Sequence, residues 1–287
     1  MKRGLFYMRT YNIPIDSGFD LYKTLECGQS FRWKQINKNR FIGTINNYLV
    51  DIQQNNDRLT VNSHLNSKEI CKYFDLNRNY REIANKLQSL DKFMSKIIDF
   101  SYGIHILKQE KLECLISFIM SANNNIPRIK KILERLCIKY GTHIEYLGQE
   151  YHTFPEIKVL ASVKNLDFLK SGWRAKYILD LIKYIDLTYL NELNSLSTIE
   201  LKDKLMNING VGDKISDCVL LYSFSRFEVF PTDVWIKRAM CSIYGTKKSE
   251  IATFAKNYFG SYRGIAQQYL YYYIMCHRSQ FIVNDRD

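Results

Sequence analysis

The chain reads as an α+β protein, with an N-terminal antiparallel β-sheet domain followed by a larger all-helical domain. Three observations predict this. Residues 29–62 hold short runs of aromatic and β-branched residues separated by Asn, Lys and Gly turns, the pattern of a meander. From Lys68 onward apolar residues recur every three or four positions, the spacing of amphipathic helices. Within Leu205–Asp233 two helical patterns meet at Gly210-Val211-Gly212, a turn tight enough to need small residues. Strands first and helices afterwards place the two kinds of element in separate parts of the molecule.

Strands are expected at Phe31–Trp33, Arg40–Ile45, Tyr48–Ile52 and Arg58–Val61. Helices are expected over Glu69–Phe74, Tyr80–Leu87, Asp91–Phe100, Lys111–Ser121 and Pro127–Tyr140. Asp91 suits an N-cap and Pro127 a first helical turn. Further helices should cover Ala175–Ile185, Thr198–Met206, Asp213–Phe224, Val234–Tyr244, Glu250–Tyr258 and Gly264–Cys276. The division falls at 1–110 for the sheet domain with flanking helices and 111–287 for the helical domain. A chain of 287 residues has ample length for a buried core, and no repeat or low-complexity run interrupts it.

Lys and Arg number 41 against 29 Asp and Glu, a formal +12. Such an excess favours a polyanionic partner and salt-sensitive binding, although solubility alone can also account for it. Many tyrosines lie near Lys or Arg, a mixture suited to base and phosphate contacts. Seven scattered cysteines form no Cys-x-x-Cys pair, which argues against a zinc or iron–sulfur site and for buried thiols in a reducing compartment. No stretch approaches membrane-spanning length, so a soluble, intracellular protein is expected; it is also expected to be a monomer and to need no metal or organic cofactor.

Chemistry concentrates in Leu205–Asp233. Glycines opening a helix leave backbone N–H groups free for a phosphate, helped by the positive end of the helix dipole. Lys214 falls in the first turn of that helix, where the dipole mildly disfavours its ammonium form. Asp233, after Phe230-Pro231-Thr232, opens the next apolar helix. Taken singly, Lys214 is an ordinary surface lysine, Asp233 an N-cap and the glycine turn a helix corner. Taken together, a phosphate clamp, an amine able to lose its proton and a carboxylate point to chemistry on a DNA sugar.

Three other stretches add to this. Gly28-Gln29-Ser30-Phe31-Arg32-Trp33 is either a turn leading into an edge strand or part of a site. Ser121-Ala122-Asn123-Asn124-Asn125-Ile126-Pro127-Arg128 is either an interhelical cap or an amide cluster facing unpaired base edges. Gly172-Trp173-Arg174-Ala175-Lys176-Tyr177 places an aromatic among cations, as a core residue or as a wedge stacked into DNA.

The G-V-G-x-K then P-x-D arrangement resembles the lysine-containing branch of the helix–hairpin–helix DNA glycosylase superfamily, with Asn209 in place of its usual proline. GQSFRW, SANNNIPRI, SGWRAKY, GVGDKISDC, PTDVW and GIAQQYLYY follow the order seen in 8-oxoguanine DNA glycosylase/AP lyases, and together cover nearly the whole chain. Endonuclease III and adenine glycosylase types usually carry four clustered cysteines, which this chain lacks. The resemblance implies that Lys214 is the nucleophile and Asp233 the catalytic carboxylate. It implies that the Gly28 carbonyl accepts the N7 proton that 8-oxoguanine has and guanine lacks. Gln267 would read the Watson–Crick edge of the flipped base, sandwiched by Cys218 and Tyr271, the latter more often Phe. Asn123, Arg128 and Arg174 match groups contacting the widowed cytosine, and Gly210, Gly212 and Ile215 the backbone amides holding DNA phosphate. Trp173 stands where a Tyr wedge is usual, and Trp235 where eukaryotic members have His. The implied partner is duplex DNA containing 8-oxoguanine. Two alternatives remain open: a glycosylase of the same chemistry for another damaged base, and a non-catalytic DNA-binding hairpin protein.

Overall fold

The computed structural model describes residues 8–16 and 18–281. Its sheet has five strands: β1 (Arg9–Pro14), β2 (Lys34–Asn37), β3 (Arg40–Ile45), β4 (Tyr48–Asn55) and β5 (Arg58–Ser63). They lie in the order β1-β5-β4-β3-β2, every neighbouring pair antiparallel. Ile45 pairs with Tyr48 across a two-residue turn in which Asn46 and Asn47 both take positive φ, 47° and 67°. Asparagine tolerates that conformation, and its twist matches the strands it joins.

Phe31–Trp33 forms no strand; the strand begins at Lys34. The reason lies in where the two rings go. In a strand, residues two apart share a face, but Phe31 enters the helical core against Phe118 (5.7 Å) whereas Trp33 enters the sheet core. Trp33 lies so close over Gly43 that a Cβ there would stand 2.7 Å from its ring, and its Nε1 donates to the Tyr73 hydroxyl at 3.0 Å. An irregular segment therefore pins the two cores together. The sequence reading also omitted β1, the Leu21–Glu26 helix and a small hairpin of β6 (His143–Tyr146) and β7 (Gln149–His152).

Helices follow the sheet, as anticipated, and three are buried on nearly all sides: Lys111–Ser121, Asp213–Phe224 and Arg263–Cys276. A helix apolar all round belongs at the centre of a core, and each large side chain sealed there contributes about 1.5–3 kcal/mol. The helical core also takes in Cys27, Phe31 and the helices Tyr80–Gln88 and Lys92–Ser101. The smaller core lies on the sheet and includes Phe19, Trp33, Phe41, Ile52 and Phe74.

His105 sits between them. Its ring stacks on Tyr80 at 3.8 Å and meets Phe19 edge-on at 4.8 Å, and Nδ1 lies 3.2 Å from the Phe74 carbonyl. That carbonyl can only accept, so Nδ1 carries the proton. Burial pulls the His105 pKa down to about 3 and keeps the ring neutral. Among the described residues no helix is long and apolar enough to cross a membrane.

Candidate active site

Two helical faces, parts of three further helices and the loops beside them line a cavity of about 390 Å³. Along Asp213–Phe224, Lys214, Cys218 and Tyr222 recur at four-residue intervals and so share one face. Along Arg263–Cys276, Gln267 and Tyr271 do the same. Gly28, the 121–124 turn and Asp233 with its neighbours complete the lining. The structure thus gathers Lys214, Asp233, Gly28, Cys218, Gln267, Tyr271 and Asn123 around one space.

Lys214 Nζ lies 3.3 Å from Ser121 Oγ and 5.1 Å from the centre of the Phe118 ring. Asp233 is the N-cap of Val234–Tyr244, its Oδ1 accepting from the Ile236 amide at 2.8 Å. That bond fixes one oxygen and the carboxylate's bearing on the cavity. Burial pushes the Cys218 thiol up to about 12, against the opposing charge of Lys214, so the sulfur is a neutral apolar surface. Burial likewise holds the Tyr271 phenol above its usual range, reinforced by Asp233. Gln267 Oε1 is buried, and among the described residues none donates to it. Gly28 takes φ +82°, and a Cβ there would stand 3.0 Å from Tyr271 Cε1, so only glycine fits without strain.

The three asparagines divide their work. Asn125 caps the Ile126–Tyr140 helix through the Arg128 amide (3.0 Å), and Asn124 Nδ2 donates to the Met120 carbonyl (3.0 Å). Asn123 takes φ +45° at the cavity rim. Arg174, only 4% exposed, donates to the Ala122 and Asn123 carbonyls and to Ser171 O at 3.2 Å. In this state its guanidinium holds the loop that presents Asn123.

Other anticipated residues lie outside the cavity. Trp173 is 52% exposed, meets Tyr177 edge-on at 5.3 Å and has the Arg174 guanidinium 4.3 Å from its ring. Arg128 donates to the Lys170 carbonyl at 3.3 Å and lines a basic groove with Lys131, Arg135 and Lys170. Gly210, Gly212 and Ile215 form the turn and first helical residues of the hairpin, with Ile215 buried. Gly210 takes φ +87° with Tyr177 against it, whereas Gly212 is the N-cap with open space beside it. Lys202 ties the hairpin's two helices together through Asp213 (3.0 Å) and the largely buried Asp217 (2.9 Å).

Sequence reasoning missed Ser121, Phe118, Tyr222 and Lys237 as lining residues. Tyr222 was detectable, standing eight residues after Lys214 on the same face. Phe118 and Ser121 come from a different helix, and nothing in local spacing places them there. Trp235, also in the lining, has Arg238 and Arg278 at 5.4 and 5.2 Å from its ring.

A hairpin domain carrying a lysine and an aspartate in one cavity has the form of a base excision repair protein, and residues 116–258 match the model for the HhH-GPD superfamily of base excision DNA repair proteins. The chain belongs, within it, to the 8-oxoguanine DNA glycosylase family, whose N-terminal domain model matches residues 12–115. It is 32% identical over 251 residues to an N-glycosylase/DNA lyase of Saccharomyces cerevisiae, covering 76% of this chain and 66% of that one. It is 30% identical over 231 residues to an N-glycosylase/DNA lyase of Arabidopsis thaliana, covering 74% and 63%. The matched region therefore spans about two thirds of those curated relatives. A Clostridium acetobutylicum 8-oxoguanine glycosylase/lyase, solved with double-stranded DNA containing cytosine opposite 8-oxoG, superposes with TM-score 0.85. That pair is 36% identical, over 91% of this chain and 93% of the other.

Proposed function

We propose that this protein is a bifunctional DNA glycosylase/AP lyase that flips 8-oxoguanine out of duplex DNA, excises it and cleaves the strand. One observation carries the reading: a primary amine, a helix-capping carboxylate, the Gly28 backbone and the Gln267 amide line one cavity.

A stacked nucleotide cannot be attacked at C1′, so it leaves the helix at a cost of a few kcal/mol. The hairpin amides near Gly210, Gly212 and Ile215, with the basic surface around Arg128, hold the bent backbone. Trp173, already exposed, fills the vacated stack. Asn123, Arg128 and Arg174 meet the widowed cytosine. Within the cavity Cys218 and Tyr271 cover the faces of the base. Gln267 reads its edge, and the Gly28 carbonyl accepts from N7–H. A held acceptor penalises guanine, which has no proton to give it.

Lys214, as the free amine, attacks C1′ and forms the C–N bond as the bond to the base breaks. Asp233 stabilises the positive charge that grows on the sugar. The covalent product rearranges to a Schiff base. Loss of a C2′ proton then expels the 3′ phosphate by β-elimination. The protein would act in the compartment that holds the genome, the nucleoid of a bacterium or the nucleus of a eukaryote.

The test is incubation with an 8-oxoguanine·cytosine duplex, with and without borohydride. Strand cleavage and a borohydride-trapped adduct are expected. Lys214→Gln should still bind the duplex but trap nothing, and an adduct in that variant would remove Lys214 from the chemistry. A panel of other lesions distinguishes a glycosylase for another damaged base, and binding without cleavage would mark a non-catalytic DNA-binding protein.

A further inference from the structure

Glycine has no side chain to limit its backbone angles, so a glycine carbonyl serves as a specific acceptor only when its surroundings hold it. At Gly28 both neighbouring carbonyls are held. Cys27 O accepts from Gln268 Nε2 at 3.0 Å, and Gln29 O accepts from Gln109 Nε2 at 2.7 Å. Among the described residues no donor bonds to the carbonyl of Gly28 itself.

Gln268 follows Gln267 on the same helix but faces away from the cavity and is wholly buried. The orientation of its amide is forced. Cys27 O can only accept, so Nε2 must face it, which leaves Oε1 for the hydroxyl of Tyr222, and that hydroxyl donates to it. Tyr222 is fixed in turn by its ring, stacked on Phe118 at 5.3 Å and 18° in the cavity wall. A buried chain therefore runs from the cavity wall through one amide to the peptide that carries Gly28.

We propose that Gln268 is a specificity-determining positioning residue, whose amide, locked by Tyr222, sets the peptide before Gly28 and so aims the Gly28 carbonyl at N7–H of the lesion. The proposal rests on the reading of Gly28 given above. Gln268 touches neither base nor sugar. Its effect is confined to steps in which a base occupies the cavity.

That confinement supplies the test. Gln268→Met keeps the length of the side chain and removes both hydrogen bonds. Single-turnover excision of 8-oxoguanine should fall about tenfold to a hundredfold, the scale of a small misplacement at a reacting centre. β-Elimination at a preformed abasic site, which contains no base, should stay within about twofold of the unaltered protein. Should Gln268→Met not fold, Gln109→Met loosens the other flank and should give the same split. Loss of both activities in parallel, or loss of neither, overturns the proposal. An unaltered protein that cleaves abasic DNA but leaves 8-oxoguanine untouched overturns the underlying reading of Gly28, and the proposal with it.

Discussion

Asp233 caps a helix and, in the function proposed above, also stabilises charge on the sugar, and a single substitution separates the two roles. As an N-cap it accepts from the Ile236 amide, and asparagine caps a helix about as well as aspartate does. Asp233→Asn should therefore cost at most about 1 kcal/mol of stability, the value of one charge near a helix dipole. In the proposed chemistry its negative charge has no neutral substitute, so base release should slow by about 100-fold or more. Thermal melting and single-turnover excision, measured on one preparation, check both halves, and near-normal turnover would leave Asp233 as a cap alone. Lys214 and Asp233 were legible in the sequence because each sits at a helix start marked by local signals, Gly-Val-Gly and Pro-Thr. Ser121, 93 positions before Lys214, was legible only as part of a motif, since the contact between them is made by folding. Arg174 shows another limit: its type and place were anticipated, but its present partners are backbone carbonyls of the loop that presents Asn123.

The hairpin glycines differ in what they require, although they look alike in sequence. Gly210 needs its left-handed φ and lies against Tyr177, whose ring a Cβ would overlap. Gly210→Ala should destabilise the protein by about 1–3 kcal/mol. Gly212 has ordinary φ and free space beside it, so Gly212→Ala should fold with a change of about 1 kcal/mol or less. If the space beside Gly212 is where DNA phosphate approaches, the same substitution should weaken duplex binding several-fold. Denaturation curves and salt-dependent binding isotherms distinguish the two positions, and unchanged binding in Gly212→Ala would move the phosphate elsewhere. The central strands were readable because their aromatic and β-branched residues are buried and bounded by Asn, Lys and Gly turns. The edge strands were not: only Ile13 is buried in β1, and every residue of β2 is exposed. Polar edges discourage pairing with another chain, and they also erase the apolar pattern by which strands are recognised. The aromatics of Phe31–Trp33 carried a strand-like composition for a different reason, as anchors into two cores.

Across the whole molecule, His105 couples the sheet core to the helical core through Tyr80, Phe19 and the Phe74 carbonyl, and it does so as a neutral ring. Its folded pKa of about 3 lies below the ordinary 6.5, with the charges of Asp16 and Arg78 acting in opposite senses on it. For a group whose pKa is depressed by folding, stability is fully present above the unfolded value and drains away as pH falls toward the folded one. The unfolded chain takes up a proton that the native chain refuses. The loss should therefore begin near pH 6.5 and approach about 1.4 kcal/mol for each pH unit below it. Carboxylates ordinarily titrate near about pH 4. Asp91, with its depressed pKa, contributes only at the lower end, whereas burial raises Glu113 and Asp217 toward the interval with the opposite sign, so the histidine limb is identified by its loss when His105 is replaced. His105→Phe keeps a ring on Tyr80 and gives up the bond to Phe74. It should be less stable at neutral pH yet lose this acid limb. Urea denaturation from about pH 7 to about pH 5 measures both slopes. Because the ring touches both cores, fluorescence from Trp33, measured with Trp173 and Trp235 replaced by Phe, and far-ultraviolet dichroism from the helices should report one shared transition. Parallel slopes in the two proteins would assign the proton to another group, and separated transitions would mean that His105 does not couple the cores.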